Sequence, residues 1–151
     1  MMTERNLELS VTRYISASPE QVWQVMTRQL ADWWCPKPWR VTVDAIEWRS
    51  GGPFNLTLHG PEGELVASQG VFLEVVPGER LVFTDAVNAQ WEPLDPFMIG
   101  IIEISDEGVG TRYVARARHW TAAARDQHLK MGFDTGWSAV ADQLAALAEL
   151  D

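Results

Sequence analysis

Residues 121–151 constrain the fold more than any other stretch of this chain. No proline interrupts them, and alanine, leucine, glutamine and other good helix formers fill them. Leu129, Phe133, Trp137, Val140, Leu144 and Leu147 recur at helical spacing and define one apolar stripe, which predicts a single long amphipathic helix. Residues 41–118 read instead as short strands and turns. A lone amphipathic helix that follows a run of strands buries its stripe across the face of the sheet they form. A bowed sheet closed by such a helix encloses a cavity, and that cavity is the expected seat of function.

Composition narrows what the cavity serves. Twelve basic and 21 acidic residues give a net charge of −9. That balance argues against nucleic acid and against an anionic membrane, both of which require a basic surface. No apolar run is long enough to span a bilayer, and the N-terminus carries no apolar leader-like segment. The single cysteine, Cys35, rules out an intrachain disulfide and suits a reducing cytoplasm. The chain is read as one cytoplasmic domain, 1–151, with its core within about 7–148. Eight tryptophans are unusual for 151 residues. Tryptophan is large and carries one donor, so it collects in cores, pockets and interfaces.

Along the chain, residues 7–15 predict a strand. Ser18-Pro19-Glu20-Gln21 is a helix start, with Ser18 as cap and Pro19 at the first helical position. The helix runs to about Leu30. Two prolines then limit residues 31–39 to a short helical turn and an aromatic loop. Strands follow at 41–49, 54–59, 64–76 and 80–86. A loop over 87–96 holds Trp91. A hairpin pairs 97–105 with 111–119 through the Gly108-Val109-Gly110 turn. Alternation puts Tyr113, Ala115, Ala117 and His119 on the face that meets the helix, and Arg112, Arg116 and Arg118 on the other.

These placements select candidate site residues, each with a competing structural role. Trp34 either lines the cavity or caps the core where the short helix meets the sheet, and its neighbour Trp33 is expected about 100° away on the helical turn. Phe54, Phe83, Trp91, Met98 and Trp137 are expected wall residues, and Met131 an adaptable rim residue. Phe97 and Met98 are adjacent, so a regular strand turns only one of them inward. Gly132 and Gly136 sit one turn apart at the stripe's edge, either for close packing on the sheet or to leave room for a ligand. His119 is the one catalytic candidate: a hydrogen-bond partner or acid/base group, unless backbone groups satisfy it at the strand end. His128 reads as a helix-surface or rim residue, and His59 as solvent-facing. The three histidines lack metal-ligand spacing, and Cys35 has no partner thiol, so no metal is expected. No phosphate-binding glycine loop and no activated nucleophile occur, so no cofactor is expected.

The order strand, helix, about six strands, long helix resembles the helix-grip fold of the START-like (SRPBCC) superfamily. Closer likeness lies in Asp32-Trp33-Trp34-x-Pro36, Glu47-x-Arg49-x-Gly51-Gly52-x-Phe54, and Gly70 followed by Glu74-Val75-x-Pro77-x-Glu79-Arg80-Leu81-Val82-Phe83-Thr84. Gly110-Thr111-Arg112 and His128-x-x-Met131-Gly132-Phe133-x-x-Gly136-Trp137 extend it. Together these resemble the bacterial branch of the Aha-type family, homologous to the C-terminal domain of an activator of a heat-shock-protein ATPase. The resemblance covers about residues 7–148. It implies an α+β fold in which a curved antiparallel sheet of six or seven strands wraps around a C-terminal helix.

One fold hosts many functions, so function is argued from the site. The leading expectation is a small-molecule binding protein that holds an apolar or aromatic ligand between sheet and C-terminal helix. The resemblance implies two alternatives: a co-chaperone-like protein-interaction domain with an apolar patch near Trp39 or Trp91, and a cyclase- or aromatase-like enzyme using His119. A homodimer and a protein partner both stay open.

Overall fold

The computed structural model describes residues 6–150. Its elements run β1 (Glu8–Ile15), α1 (Pro19–Arg28), α2 (Leu30–Trp33), β2 (Arg40–Ile46), β3 (Phe54–His59), β4 (Leu65–Ser68), β5 (Val71–Val76), β6 (Arg80–Thr84), β7 (Ile99–Glu107), β8 (Gly110–Arg118), α3 (Ala122–Lys130) and α4 (Phe133–Ala148). Five strands pair antiparallel in the order β1-β8-β7-β6-β5, and three in the order β2-β3-β4. Backbone hydrogen bonds stitch the two sheets together: Phe54 N donates to Gly70 O at 3.0 Å, and Phe72 N to Gly52 O at 3.0 Å. Bulges at Val43/Ala45 and Phe72/Glu74 add the bend that turns the strands into one bowed surface.

Local chemistry starts α1 as its sequence predicts. The Ser18 side chain accepts from Gln21 N at 3.2 Å, and Pro19 opens the helix, which buries Val22, Val25 and Met26. The expected 64–76 strand is two strands, because the chain crosses from one sheet to the other at Gly70. Gly70 is buried, and a Cβ there would come within 2.4 Å of Thr84 O.

The predicted single helix over 121–151 is also two. Thr121 caps α3 by accepting from Ala124 N at 3.0 Å. Gly132 then adopts φ 97°, a left-handed conformation that stops α3, and its carbonyl accepts from Gly136 N at 2.8 Å to begin α4. The change in axis explains where the stripe fails. Leu129 is 44% exposed, while Phe133 and Leu144 are buried and Trp137, Val140 and Leu147 pack partly against the core.

Polar contacts seat α4 on its neighbours. Asp142 pairs with Arg13 of β1 at 2.8 Å, Glu149 accepts from Ser16 N at 2.8 Å, and Gln21 of α1 donates to Ala148 O at 2.8 Å. Gln143 binds the loop after α2 three times. Its Nε2 donates to Trp33 O at 3.1 Å and to Cys35 O at 3.0 Å, and its Oε1 accepts from Lys37 N at 3.0 Å. Among the described residues no helix is long and apolar enough to cross a membrane.

Candidate functional site

A recess of about 140 Å³ lies between α4 and the sheet. Trp137 and Val140 of α4 close it on one side, and Ile102 of β7 and Tyr113 of β8 form its floor. Trp33, Trp34 and Met98 complete it. Beyond Trp34 and Met98, a second compartment of about 100 Å³ reaches Phe54, Leu56, Phe83, Gly70 and Asp85. The first volume approaches the roughly 150 Å³ of a cavity that holds benzene. It is far below the roughly 300–1,000 Å³ of sites for drug-sized ligands.

Aromatic packing explains why the recess is small. The Trp34 ring stands edge-on to Phe54 at 5.2 Å and to Phe83 at 5.4 Å, and Phe54 stacks on Phe72 at 4.7 Å. Phe83 lies across Gly100 on the neighbouring strand: a Cβ at Gly100 would fall 2.2 Å from the ring. That glycine is what lets the ring lie flat on the sheet.

The structure gathers some of the sequence-predicted wall residues and disperses others. Trp34, Met98 and Trp137 line the first recess, and Trp34, Phe54, Phe83 and Met98 the second. Trp33 does not turn away from Trp34. It is fully buried, donates its indole N–H to Met26 O at 3.3 Å, and meets Trp34 edge-on at 5.3 Å. Trp34 keeps helical backbone angles as the C-cap of α2, so the two rings leave adjacent helical positions and still meet edge to face. Phe97 and Met98 both turn inward, since β7 begins only at Ile99.

Trp91 stands outside both compartments. It is 65% exposed, has φ 63°, and lies over Gly51 at the tip of a loop organised by Asn88, whose Oδ1 accepts from Gln90 N and Glu92 N. Met131 is 66% exposed at the break between α3 and α4. Gly136 faces neither crowded sheet nor recess; a Cβ there would meet only Pro36, at 4.0 Å.

The histidines differ most from expectation. His128 is not a surface residue; it is 7% exposed and forms a buried pair with His119, Nδ1 to Nε2, at 2.9 Å. The helix break turns His128 inward where the sequence stripe put Leu129. His119 Nδ1 lies 2.9 Å from the Leu7 carbonyl. A carbonyl only accepts, so His119 Nδ1 carries its proton, its Nε2 accepts, and His128 Nδ1 donates. Phe97, Phe133 and Trp137 surround His128. Burial, with a smaller contribution from His119, lowers the His128 pKa to about 4. Both nitrogens of His119 are therefore engaged in structural contacts. His59 bonds Thr42 across β2 and β3 at 2.9 Å.

Tyr113, Ile102 and Val140 were not among the predicted wall residues. Strand alternation did point Tyr113 toward the helix, so its signal was present. Among the described residues, no group of three or more His, Cys, Asp or Glu side chains is arranged to hold a metal ion.

The family model for Activator of Hsp90 ATPase homolog 1-like protein matches residues 16–149, nearly all of the chain. The chain belongs to this family. A crystal structure of a Nitrosomonas europaea protein is similar at 35% identity with TM-score 0.90, covering 96% of each chain. A Mycobacterium smegmatis protein is 26% identical with TM-score 0.80, covering 96% of this chain and 92% of its own. An AHSA1 protein from Silicibacter pomeroyi, 20% identical with TM-score 0.73 over 95% of this chain and 98% of its own, shares the fold. No curated protein matches the chain. Membership confirms the START-like α+β architecture, in a family associated with ligand binding or protein interaction.

Proposed function

We propose that this family member binds a small apolar or aromatic molecule in the recess under α4. The observation that carries the reading is the recess itself: about 140 Å³, walled by three tryptophans, a tyrosine and aliphatic side chains, with no charged group. Such a lining favours an apolar ring by removing its surface from water, at roughly 25 cal/mol per Å². The volume suits one ring. Trp34 and Met98 separate this space from the second compartment, so a change in their rotamers would extend the site toward Phe54 and Phe83.

Toluene titration followed through methyl NMR shifts tests the proposal. Saturable shifts at Ile102 and Val140 are expected; an unresponsive pair of methyls at saturating toluene would overturn it.

A protein-interaction role draws on a separate feature. An outer groove between the 35–40 segment and the end of α4 carries Trp39, Leu147 and Leu150, and Leu150 is 79% exposed. The cyclase-like reading gains no support from His119, whose two nitrogens are already bonded.

A further inference from the structure

We infer that the recess selects a neutral one-ring molecule bearing a single hydroxyl or carbonyl, and that the Tyr113 hydroxyl is the group that anchors it. This rests on the recess being a binding site. Tyr113 is only 2% exposed, sits within β8 facing α4, and forms part of the recess floor. Its hydroxyl has no hydrogen-bond partner among the described residues. None of their fully sealed side-chain nitrogens or oxygens lacks a partner, so the Tyr113 hydroxyl is not fully sealed, and the space that Tyr113 lines is the recess.

Other buried polar groups nearby are satisfied from within. The Trp33 indole donates to Met26 O at 3.3 Å, and the Thr111 hydroxyl to Ala17 O at 2.7 Å. A tyrosine this deep normally finds a partner. Here the missing partner is one that a guest in the recess would supply.

The chemistry of the walls defines that guest. Burial pushes the Tyr113 pKa well above the ordinary tyrosine value, so the hydroxyl stays neutral and both donates and accepts. It therefore matches a hydroxyl or a carbonyl equally well. No wall of the recess carries a charge. In the next compartment, Asp85 Oδ1 accepts from Phe97 N at 2.8 Å and Met98 N at 3.2 Å. A carboxylate guest would enter without a counter-ion and lose its hydration. The volume sets the remaining limit at about one ring.

Calorimetric titration of the full chain and of Tyr113→Phe with toluene, phenol and benzoate tests the inference. The wild type is expected to bind phenol more tightly than toluene, although an apolar recess without a partner would prefer toluene, since phenol is dehydrated on entry. Y113F is expected to lose about tenfold in phenol affinity while its toluene affinity stays within about twofold. Benzoate is expected not to bind. Toluene binding with no preference for phenol in the wild type, or an unchanged phenol-to-toluene ratio in Y113F, would overturn the anchor but leave the binding site standing. Benzoate binding as tightly as phenol would overturn the neutral class. If neither toluene nor phenol binds the wild type, the binding site itself falls, and the anchor with it. The phenol-to-toluene ratio of the wild type decides the question even if Y113F does not fold.

Discussion

His119 and His128, nine residues apart in sequence, share a 2.9 Å hydrogen bond that fastens α3 to the end of β8. The bond continues to Leu7 through His119 Nδ1 at 2.9 Å, so one relay joins the segment before β1, the sheet and the helix. It also sits behind Trp137, a wall of the recess, whose ring centroid lies 5.8 Å from that of His128. The support for the site is thus partly polar and titratable, although the site is lined mostly by apolar groups.

Stability should therefore depend on pH in a defined window. The folded-state pKa of His128 is lowered from 6.5 to about 4, so between those values the unfolded chain binds more protons than the native one. Stability is unaffected by this group above pH 6.5, falls as pH drops through the window, and levels off below about 4. The loss is on the order of 3 kcal/mol. Urea unfolding of the wild type and of His128→Phe across that window checks it. The variant should be about 1 kcal/mol less stable at neutral pH, from the lost bond to His119, yet show a shallower acid decline. An equally steep decline in both proteins would contradict the relay.

Gly132 and Gly136 should respond in opposite directions to alanine. Gly132 holds φ 97° at the break between the helices, a conformation costly for a residue with a Cβ, so Gly132→Ala should destabilise by about 1–2 kcal/mol. Gly136 is an ordinary helical position whose added methyl would meet Pro36 at 4.0 Å. Gly136→Ala should stabilise by up to about 1 kcal/mol. Thermal melts of the two variants beside the wild type settle the pair. A loss of stability in Gly136→Ala would show crowding that the geometry denies.

These two glycines also mark the boundary of what sequence alone revealed. Local signals gave most of the elements: the Ser18 cap, the turn at Gly108 and the alternation through Tyr113 each act over a few residues. The inward register of Phe54 and Phe83 followed from the same alternation. In sequence, Gly132 reads as close packing or as room for a ligand, because the apolar stripe runs unbroken across it and periodicity carries no record of φ. An unbroken stripe turns Leu129 inward and His128 outward, whereas the break at Gly132 exposes Leu129 and buries His128 against His119. Trp91 failed for another reason. Its position depends on the Asn88 hub and on contact with Gly51, forty residues away by number, and such pairing leaves no periodic trace.

Gln143 should govern the order of the loop that carries Trp34. From α4 it holds Trp33, Cys35 and Lys37 together, through three hydrogen bonds of 3.0–3.1 Å. Gln143→Ala removes all three and leaves two carbonyls and an amide to find water. A cost of about 1–3 kcal/mol is expected, together with faster hydrogen exchange at the Lys37 amide. Unchanged exchange at Lys37 would mean that the loop is held by aromatic packing alone.

Filling the recess should separate binding from folding. Val140 projects from α4 into the space, and a phenylalanine there adds roughly the volume of several methylenes to a void of about 140 Å³. Overpacking a filled core costs about 1–3 kcal/mol, but a side chain that enters existing space gains contacts instead. Val140→Phe should thus retain the wild-type melting temperature within a few degrees, and it should abolish the toluene-induced shift at Ile102. The contrasting substitution, Leu144→Ala, lies on the same helix but in solid core, with Leu144 fully buried. It should cost about 2–5 kcal/mol. If Val140→Phe were as destabilising as Leu144→Ala, the space beneath α4 would be too small for any ring. If it bound toluene as well as the wild type, the ring would sit elsewhere.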